Sequence, residues 1–319
     1  MSANIAVIGA GAWGIALAIQ ASRTGANVFL WSRRELPDPK KRTLSRLPCV
    51  PLPSSIQVCN QMPDKADLVL LCVPMQYLRS VLPDVPQKAP LIICCKGVEQ
   101  DTLNFPMEIL QEIRPSQIHA VLSGPNFANE VAIGLPAASV LASKDATQAR
   151  EIADLLTTSQ FRLYTNTDPI GVQIGGAAKN VFAIAAGAVM GAGLGENARA
   201  ALITRGITEL ARLSNGLGGM TETLSGLAGL GDLILTCTGE GSRNYSLGME
   251  LGRGMTLDEI LKKRTTVAEG VATAPALLKR AQKHHVNTPI IQMVSALLSN
   301  QITIKEAAKA LLSRPVGME

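Results

Sequence analysis

A short apolar run, Ile5–Gly9, leads directly into Gly9-Ala10-Gly11-Ala12-Trp13-Gly14, and an apolar helical pattern, Trp13–Arg23, follows. Glycines at this spacing between a strand and a helix leave little choice of local structure. The first permits a tight turn, the second keeps the backbone bare for the close approach of a ligand, and the third lets the helix pack on the strand. The free N–H groups and positive dipole end of the helix then suit an anion. Gly9, Gly11 and Gly14 are therefore candidates to bind a dinucleotide pyrophosphate. The competing reading, an incidental glycine-rich turn, does not account for the flanking strand and helix.

The rest of the first half has the same rhythm. Val28–Trp31, Ile56–Cys59, Leu68–Val73, Leu91–Cys95, His119–Leu122, Ser139–Leu141 and Phe161–Tyr164 read as strands. Most are continuous apolar runs, the mark of strands covered on both faces. Helical stretches separate them, so the expected fold class is α/β, with a Rossmann-type, doubly wound, mostly parallel sheet. The Pro-rich and basic stretch Leu36–Ser55 reads as a surface excursion. After about Asp168 the β-branched runs stop. Thr256-x-x-Glu259 and Thr303-x-x-Glu306 read as capping boxes, and glycine-rich breaks at 215–219, 226–231 and 239–241 divide helices. The expected organisation is a dinucleotide-binding domain over 1–165 and an all-helical domain over 166–319.

Composition narrows the function classes. With 319 residues, 47% apolar and 17% charged, the chain can bury two cores. The net charge of +5 suits an anionic small ligand. Its basic pairs lack the interleaved aromatics of a nucleic-acid surface, so no nucleic-acid partner is expected. The six cysteines show no C-x-x-C spacing, so neither a metal site nor a disulfide framework is expected. The N-terminus lacks a signal-peptide pattern, and the cytoplasm is the expected location. The Ala/Gly-rich stretch Val181–Gly195 is shorter than the roughly 20 residues of a membrane span and reads as a buried helix rather than a membrane insertion.

The end of the second strand bears on cofactor choice. NAD-selective sites place an acid there for the ribose hydroxyls, whereas this chain reads Leu30-Trp31-Ser32-Arg33-Arg34. Guanidinium groups suit the 2′-phosphate of NADPH/NADP, although both arginines could equally be solvated loop charges. NADH/NAD remains a second cofactor.

In the helical half, Lys179 lies in Gly175-Gly176-Ala177-Ala178-Lys179-Asn180-Val181-Phe182. Burial of such a lysine would lower its pKa and suit it to a general acid; a lysine snorkelling from an Ala-rich helix would look the same. Asn180 beside it can hold a hydroxyl. Asp232, inside the run Gly226–Ile234, could pair with Lys179, bond a substrate hydroxyl, or cap a helix. Arg243, flanked by Ser242 and Asn244 after a flexible glycine loop, suits bidentate phosphate binding, or is an ordinary loop arginine. Lys96-Gly97 and Gly124-Pro125-Asn126-Phe127-Ala128 follow strands at the carboxyl edge of the expected sheet, where ligands bind in such folds.

Taken in order, Gly9–Gly14, Cys95-Lys96-Gly97, Ser123–Glu130, Gly175–Gly187, Leu202–Gly206, Gly226–Cys237, Ser242-Arg243-Asn244 and Val267-Ala268-Glu269-Gly270 make the chain resemble the bacterial-type NAD(P)-dependent glycerol-3-phosphate dehydrogenases. The resemblance implies reversible, NAD(P)H-dependent reduction of dihydroxyacetone phosphate to sn-glycerol 3-phosphate, supplying phospholipid synthesis, in a cytoplasmic homodimer. It implies that Lys179 transfers the proton, with Asp232 supporting it. Lys96, Gly124, Asn126, Lys179, Asn180, Asp232, Ser242, Arg243 and Asn244 would contact the substrate. Trp13, Arg33, Arg34, Lys96, Ala128, Arg243, Val267 and Glu269 would contact the cofactor. The chain departs from the family pattern at Asn126, where Ser, Thr or Ala is common, and over Leu36–Ser55. Rival readings are another two-domain reductase of the β-hydroxyacid dehydrogenase or ketopantoate reductase type, and a catalytically silent NAD(P)-sensing module.

NADPH is expected to serve at least as well as NADH, and the double substitution Arg33→Ala/Arg34→Ala to erode its use. A comparison of kcat/KM for the two cofactors checks this; a strong NADH preference unchanged by the substitutions refutes it.

Overall fold

The structure is a computed structural model that describes residues 2–33, 42–239, 241–264 and 268–313. The chain divides into two compact units, Met1–Lys96 with Asn104–Gln173, and Gly97–Leu103 with Ile174–Glu319. The second unit thus reclaims a short stretch, Gly97–Leu103, from within the sheet region, and the units divide inside a helix, eight residues beyond the boundary expected at 165.

The first unit is built on one sheet. Its strands are β1 (Asn4–Ile8), β2 (Asn27–Trp31), β3 (Ile56–Cys59), β4 (Leu68–Leu71), β5 (Leu91–Ile93), β6 (His119–Ser123), β7 (Ala137–Ala142) and β8 (Phe161–Asn166), in the order β3-β2-β1-β4-β5-β6-β7-β8. Each expected strand is present. All neighbours are parallel except β6 and β7. The register sets Val7 beside Leu30 on one side and Leu70 on the other. Residues 5–8, 68–71 and 91–93 are fully buried, which explains their unbroken apolar runs. The helices of this unit are α1 (Ala12–Ser22), α2 (Leu78–Val81), α3 (Pro106–Ile113), α4 (Ala128–Ile133) and α5 (Ala146–Leu156). Gly25, at φ +82°, lies just beyond the end of α1, a conformation that favours glycine. Gln20, buried in α1, donates to the Leu156 carbonyl and to Thr158, tying α1 to the end of α5.

The order of strands reverses at β1, so the C-terminal ends of β1 and β4 flank a topological switch point, where such sheets bind ligands.

The excursion expected over 36–55 needs correction where it is described. Leu44, Leu47, Val50 and Leu52 are buried and join the core around β1, β2 and α1. Arg42, at φ +45°, donates to the carbonyls of Leu52, Pro53 and Ile56. The apolar residues between the prolines are what draw this stretch inward. Residues 36–41 lie outside the described residues.

The second unit contains α6 (Pro169–Gly191) from Ile174 onward, then α7 (Gly195–Gly216), α8 (Asp232–Thr238), α9 (Arg243–Gly252), α10 (Leu257–Lys263), α11 (Glu269–Lys283), α12 (Pro289–Leu298) and α13 (Ile304–Leu312). The capping boxes at Thr256 and Thr303 open α10 and α13. Their hydrogen bonds hold the Glu259 and Glu306 carboxyls below the usual carboxylate range. Among the described residues α6 is the one helix long and apolar enough to cross a membrane, and 83% of its apolar window is buried inside the protein.

Glycine explains the apolar texture of α6. A Cβ at Gly187 would fall 2.0 Å from the Tyr245 carbonyl oxygen, and one at Gly248 would fall 2.1 Å from that of Ile184. Gly191 and Gly252 make equally close approaches, so α6 and α9 touch backbone to backbone. Gly248→Ala is expected to destabilise the fold by about 1–3 kcal/mol, as overpacking a tight contact does. Urea unfolding of the variant beside the wild type measures it.

Candidate functional site

The glycine turn lies at the switch point of the sheet. Gly9 has φ +117°, and a Cβ there would meet the backbone of Cys72 and Val73, just past β4, at 2.9 Å. A Cβ on Gly14 would fall inside the Gly9 carbonyl. At Gly11, by contrast, a Cβ would meet nothing within 4 Å. Gly11 is the N-cap of α1 and supplies no capping side chain, so the first-turn N–H groups have no partner from that residue. Trp13 Nε1 is buried without an acceptor. A bare glycine, uncapped amides and an orphaned indole donor fit a dinucleotide phosphate group at this turn.

Other candidates of the first unit surround the same sheet edge. Arg33 follows β2, is exposed, and holds its guanidinium 5.4 Å from the Tyr77 ring centroid. Arg34 lies outside the described residues. Lys96 is half-buried beyond β5. Gly124 follows β6, and a Cβ on it would meet the Ser139 backbone at 2.8 Å. Asn126 donates through Nδ2 to Ser139 Oγ (2.6 Å) and the Ala138 carbonyl (3.3 Å). A carbonyl can only accept, which fixes the amide orientation and leaves Asn126 Oδ1 buried without a donor. Ala128 opens α4.

The second unit holds the charged centre. Lys179, on α6, is 8% exposed and Asp232 is 0% exposed; Lys179 Nζ donates to Asp232 Oδ1 at 2.5 Å. Two buried charges in contact offset part of each other's loss of hydration. Sequence left Lys179 either buried or snorkelling and Asp232 either paired or capping; the structure pairs them. Asp232 is the first residue of α8, and its N-cap is Gly231. Thr236 Oγ1 also lies 3.4 Å from Asp232 Oδ1.

The expected glycine-rich break at 226–231 is a correction. Leu227–Gly231 form a π-helical turn that runs straight into α8. Its glycines serve contact rather than looseness: a Cβ on Gly229 would strike Leu224, and a Cβ on Gly175 would fall 2.4 Å from the Ala228 carbonyl oxygen. Gly175, one helical turn before Lys179, thereby lets α6 approach the turn that delivers Asp232. Such π turns often mark functional sites. The burial of Cys237, one turn further along α8, pushes its thiol up to about 12, so it stays protonated beside the pair.

A second network runs from the neighbour of Lys179. Asn244 Nδ2 donates to Asn180 Oδ1 (2.9 Å), and Asn244 Oδ1 accepts from the Gly270 amide (3.0 Å). Both asparagines are buried, and Asn180 Nδ2 has no partner among the described residues. Ser242 caps α9 by accepting from the Tyr245 amide (3.2 Å). Arg243, the first residue of α9, is exposed, with no side-chain partner among the described residues. A guanidinium on the first turn of a helix complements an anion already favoured by the helix end. Glu269 opens α11 next to Gly270, while Val267 lies outside the described residues.

Sequence reasoning passed over Arg199. Its guanidinium pairs with Glu196 and lies 3.3 Å from the Tyr245 hydroxyl, near enough to Cys237 to act on its charge. An arginine on a largely exposed helix, α7, carries no local signal of such a role.

The NAD-dependent glycerol-3-phosphate dehydrogenase N-terminus family matches residues 4–149, and the corresponding C-terminus family matches residues 168–309. The chain is 55% identical over 320 residues to a glycerol-3-phosphate dehydrogenase [NAD(P)+] of Gluconobacter oxydans, covering 99% of this chain and 98% of that protein. It is 50% identical over 319 residues to the protein of the same name from Acidiphilium cryptum, with the same coverage. The crystal structure of glycerol-3-phosphate dehydrogenase from Coxiella burnetii superposes with a TM-score of 0.93 at 36% identity, covering 98% of this chain and 99% of that one.

Breaking the buried pair from one side should be costly. Asp232→Ala removes the carboxylate that accepts from a buried ammonium and is expected to lower stability by about 3–5 kcal/mol. Urea titration measures it, and a loss below 1 kcal/mol, the range of a surface pair, contradicts the assignment.

Proposed function

The chain belongs to the NAD-dependent glycerol-3-phosphate dehydrogenase family, and from that premise we propose that it reduces dihydroxyacetone phosphate to sn-glycerol 3-phosphate, reversibly, with NADPH or NADH. The observation that carries the reading is the buried Lys179–Asp232 pair, flanked by Asn180 with its unused amide donors.

The Gly9–Gly14 turn binds the dinucleotide through the first-turn amides of α1, with Trp13 Nε1 as a further donor. Arg33 lies at the end of β2, where the ribose substituents of a dinucleotide are read. When bound, the reduced nicotinamide supplies a hydride to C2 of the ketone. Lys179 donates a proton from Nζ to the oxygen that becomes the C2 hydroxyl. Asp232 keeps the ammonium charged and orients it until that transfer, and keeps it in place afterwards. In the reverse direction the neutral lysine takes the proton back. Asn180 Nδ2 donates to a substrate hydroxyl. Arg243 and the Ser242 hydroxyl hydrogen, free because Ser242 Oγ caps α9 as an acceptor, bind the phosphate.

Two steady-state measurements test this. NADPH oxidation should be rapid with dihydroxyacetone phosphate and far slower with unphosphorylated dihydroxyacetone. Lys179→Ala should lower kcat by about 10²–10⁴-fold, the range for one acid–base group. Near-wild-type turnover in that variant rules the mechanism out.

A further inference from the structure

Arg264 stands at the C-cap of α10, immediately before residues 265–267, and its guanidinium is committed to α9. Its Nη1 donates to the Arg243 carbonyl at 3.0 Å and its Nη2 to Ser246 Oγ at 2.8 Å. The same group forms a two-pronged pair with Glu250, at 3.1 Å to Oε1 and 3.4 Å to Oε2. Arg243, Ser246 and Glu250 are spaced i, i+3, i+7, so they line one face of α9. The side chain of Arg264 is 13% exposed and that of Glu250 32%, so the pair is partly shielded from water.

The tie reaches the helix at the residue assigned to the phosphate. A backbone carbonyl has two lone pairs, and the one on Arg243 accepts from Arg264 in addition to serving the helix. A lysine could not make this set of contacts, because only a planar guanidinium spans a carboxylate fork and two further acceptors. On the far side of residues 265–267, the Gly270 amide donates to Asn244. Both ends of that short connection are therefore fastened to the first turn of α9, one at Arg243 and one at Asn244.

We propose that Arg264 is a positioning residue: it holds the Arg243 end of α9 in the place from which Arg243 binds the substrate's phosphate. The proposal rests on the reading of Arg243 given above. Arg264 acts through Arg243, so at saturating NADPH its removal affects substrates that carry the phosphate and spares those that do not.

The test is steady-state kinetics of full-length Arg264→Met with NADPH, using dihydroxyacetone phosphate and unphosphorylated dihydroxyacetone in parallel. The expected result is a KM for dihydroxyacetone phosphate raised about tenfold with kcat within about twofold, the signature of a displaced binding group rather than a damaged reaction centre. The kcat/KM for dihydroxyacetone should stay at the wild-type value. In an Arg243→Ala background the same change should add nothing further, because the group it positions is gone. Arg264→Lys should fall on the side of Met rather than wild type. Equal losses on both substrates, or losses that multiply with Arg243→Ala, overturn the proposal and mark the tie as purely structural. Should Arg264→Met fail to fold, Glu250→Gln loosens the guanidinium without removing it. That variant must show a smaller rise in KM confined to dihydroxyacetone phosphate, and wild-type constants overturn the proposal. A wild-type enzyme with no preference for the phosphorylated ketone overturns the Arg243 reading itself, which is distinguishable because it requires no variant.

Discussion

The helical unit depends on one largely buried ion pair, Lys179 with Asp232. An ammonium and a carboxylate buried together are tolerated only when each finds the other at close range, and here both helices that bring them there have given up side chains to do so. Gly175 lets α6 settle on the π-helical turn, and that turn delivers Asp232 to Lys179. Those two backbone features are what let the carboxylate and the ammonium meet.

The sheet unit solves a different problem with the same device. Its ligand edge is defined by glycines that let main chain meet main chain, Gly9 against the strand after β4 and Gly14 against Gly9. The cost is a helix start with no capping side chain, and unsatisfied amides of that kind are what a phosphate group can satisfy. Trp13 and Asn126 extend the pattern, each with one buried polar atom lacking a protein partner. A buried polar atom without a partner is costly in a finished core, and these two lie where the glycine turn and the strand ends already favour a polar ligand.

Much of this was legible in the chain. The inner strands stood out because strands covered on both faces cannot alternate, as Ile5–Ile8 and Leu68–Leu71 show, whereas β2, β3 and β8 are only partly covered and rest on their β-branched and apolar residues. The turn at Gly9–Gly14 was legible because each glycine has a separate steric reason. The pairing of Lys179 with Asp232 was only one option among several, since 53 residues separate them and no spacing rule spans that gap. The glycines of 226–231 were misread as a break because a glycine that permits contact and one that permits a bend look alike in one dimension. The inward fold of Leu44–Leu52 was hidden by the prolines around it. Arg264 carried no signal at all, because its partners are defined by which face of α9 it meets.

The backbone contact between α6 and α9 has a consequence for the site. Lys179 and Asn180 ride on one of these helices, and Arg243 and Asn244 on the other, which Ser242 caps. With no side chains cushioning the seam around Gly187, Gly191, Gly248 and Gly252, the two helices cannot slide or breathe against each other without atoms colliding. The seam therefore sets how far apart the backbones carrying Lys179 and Arg243 stand, the spacing on which the proposed mechanism draws.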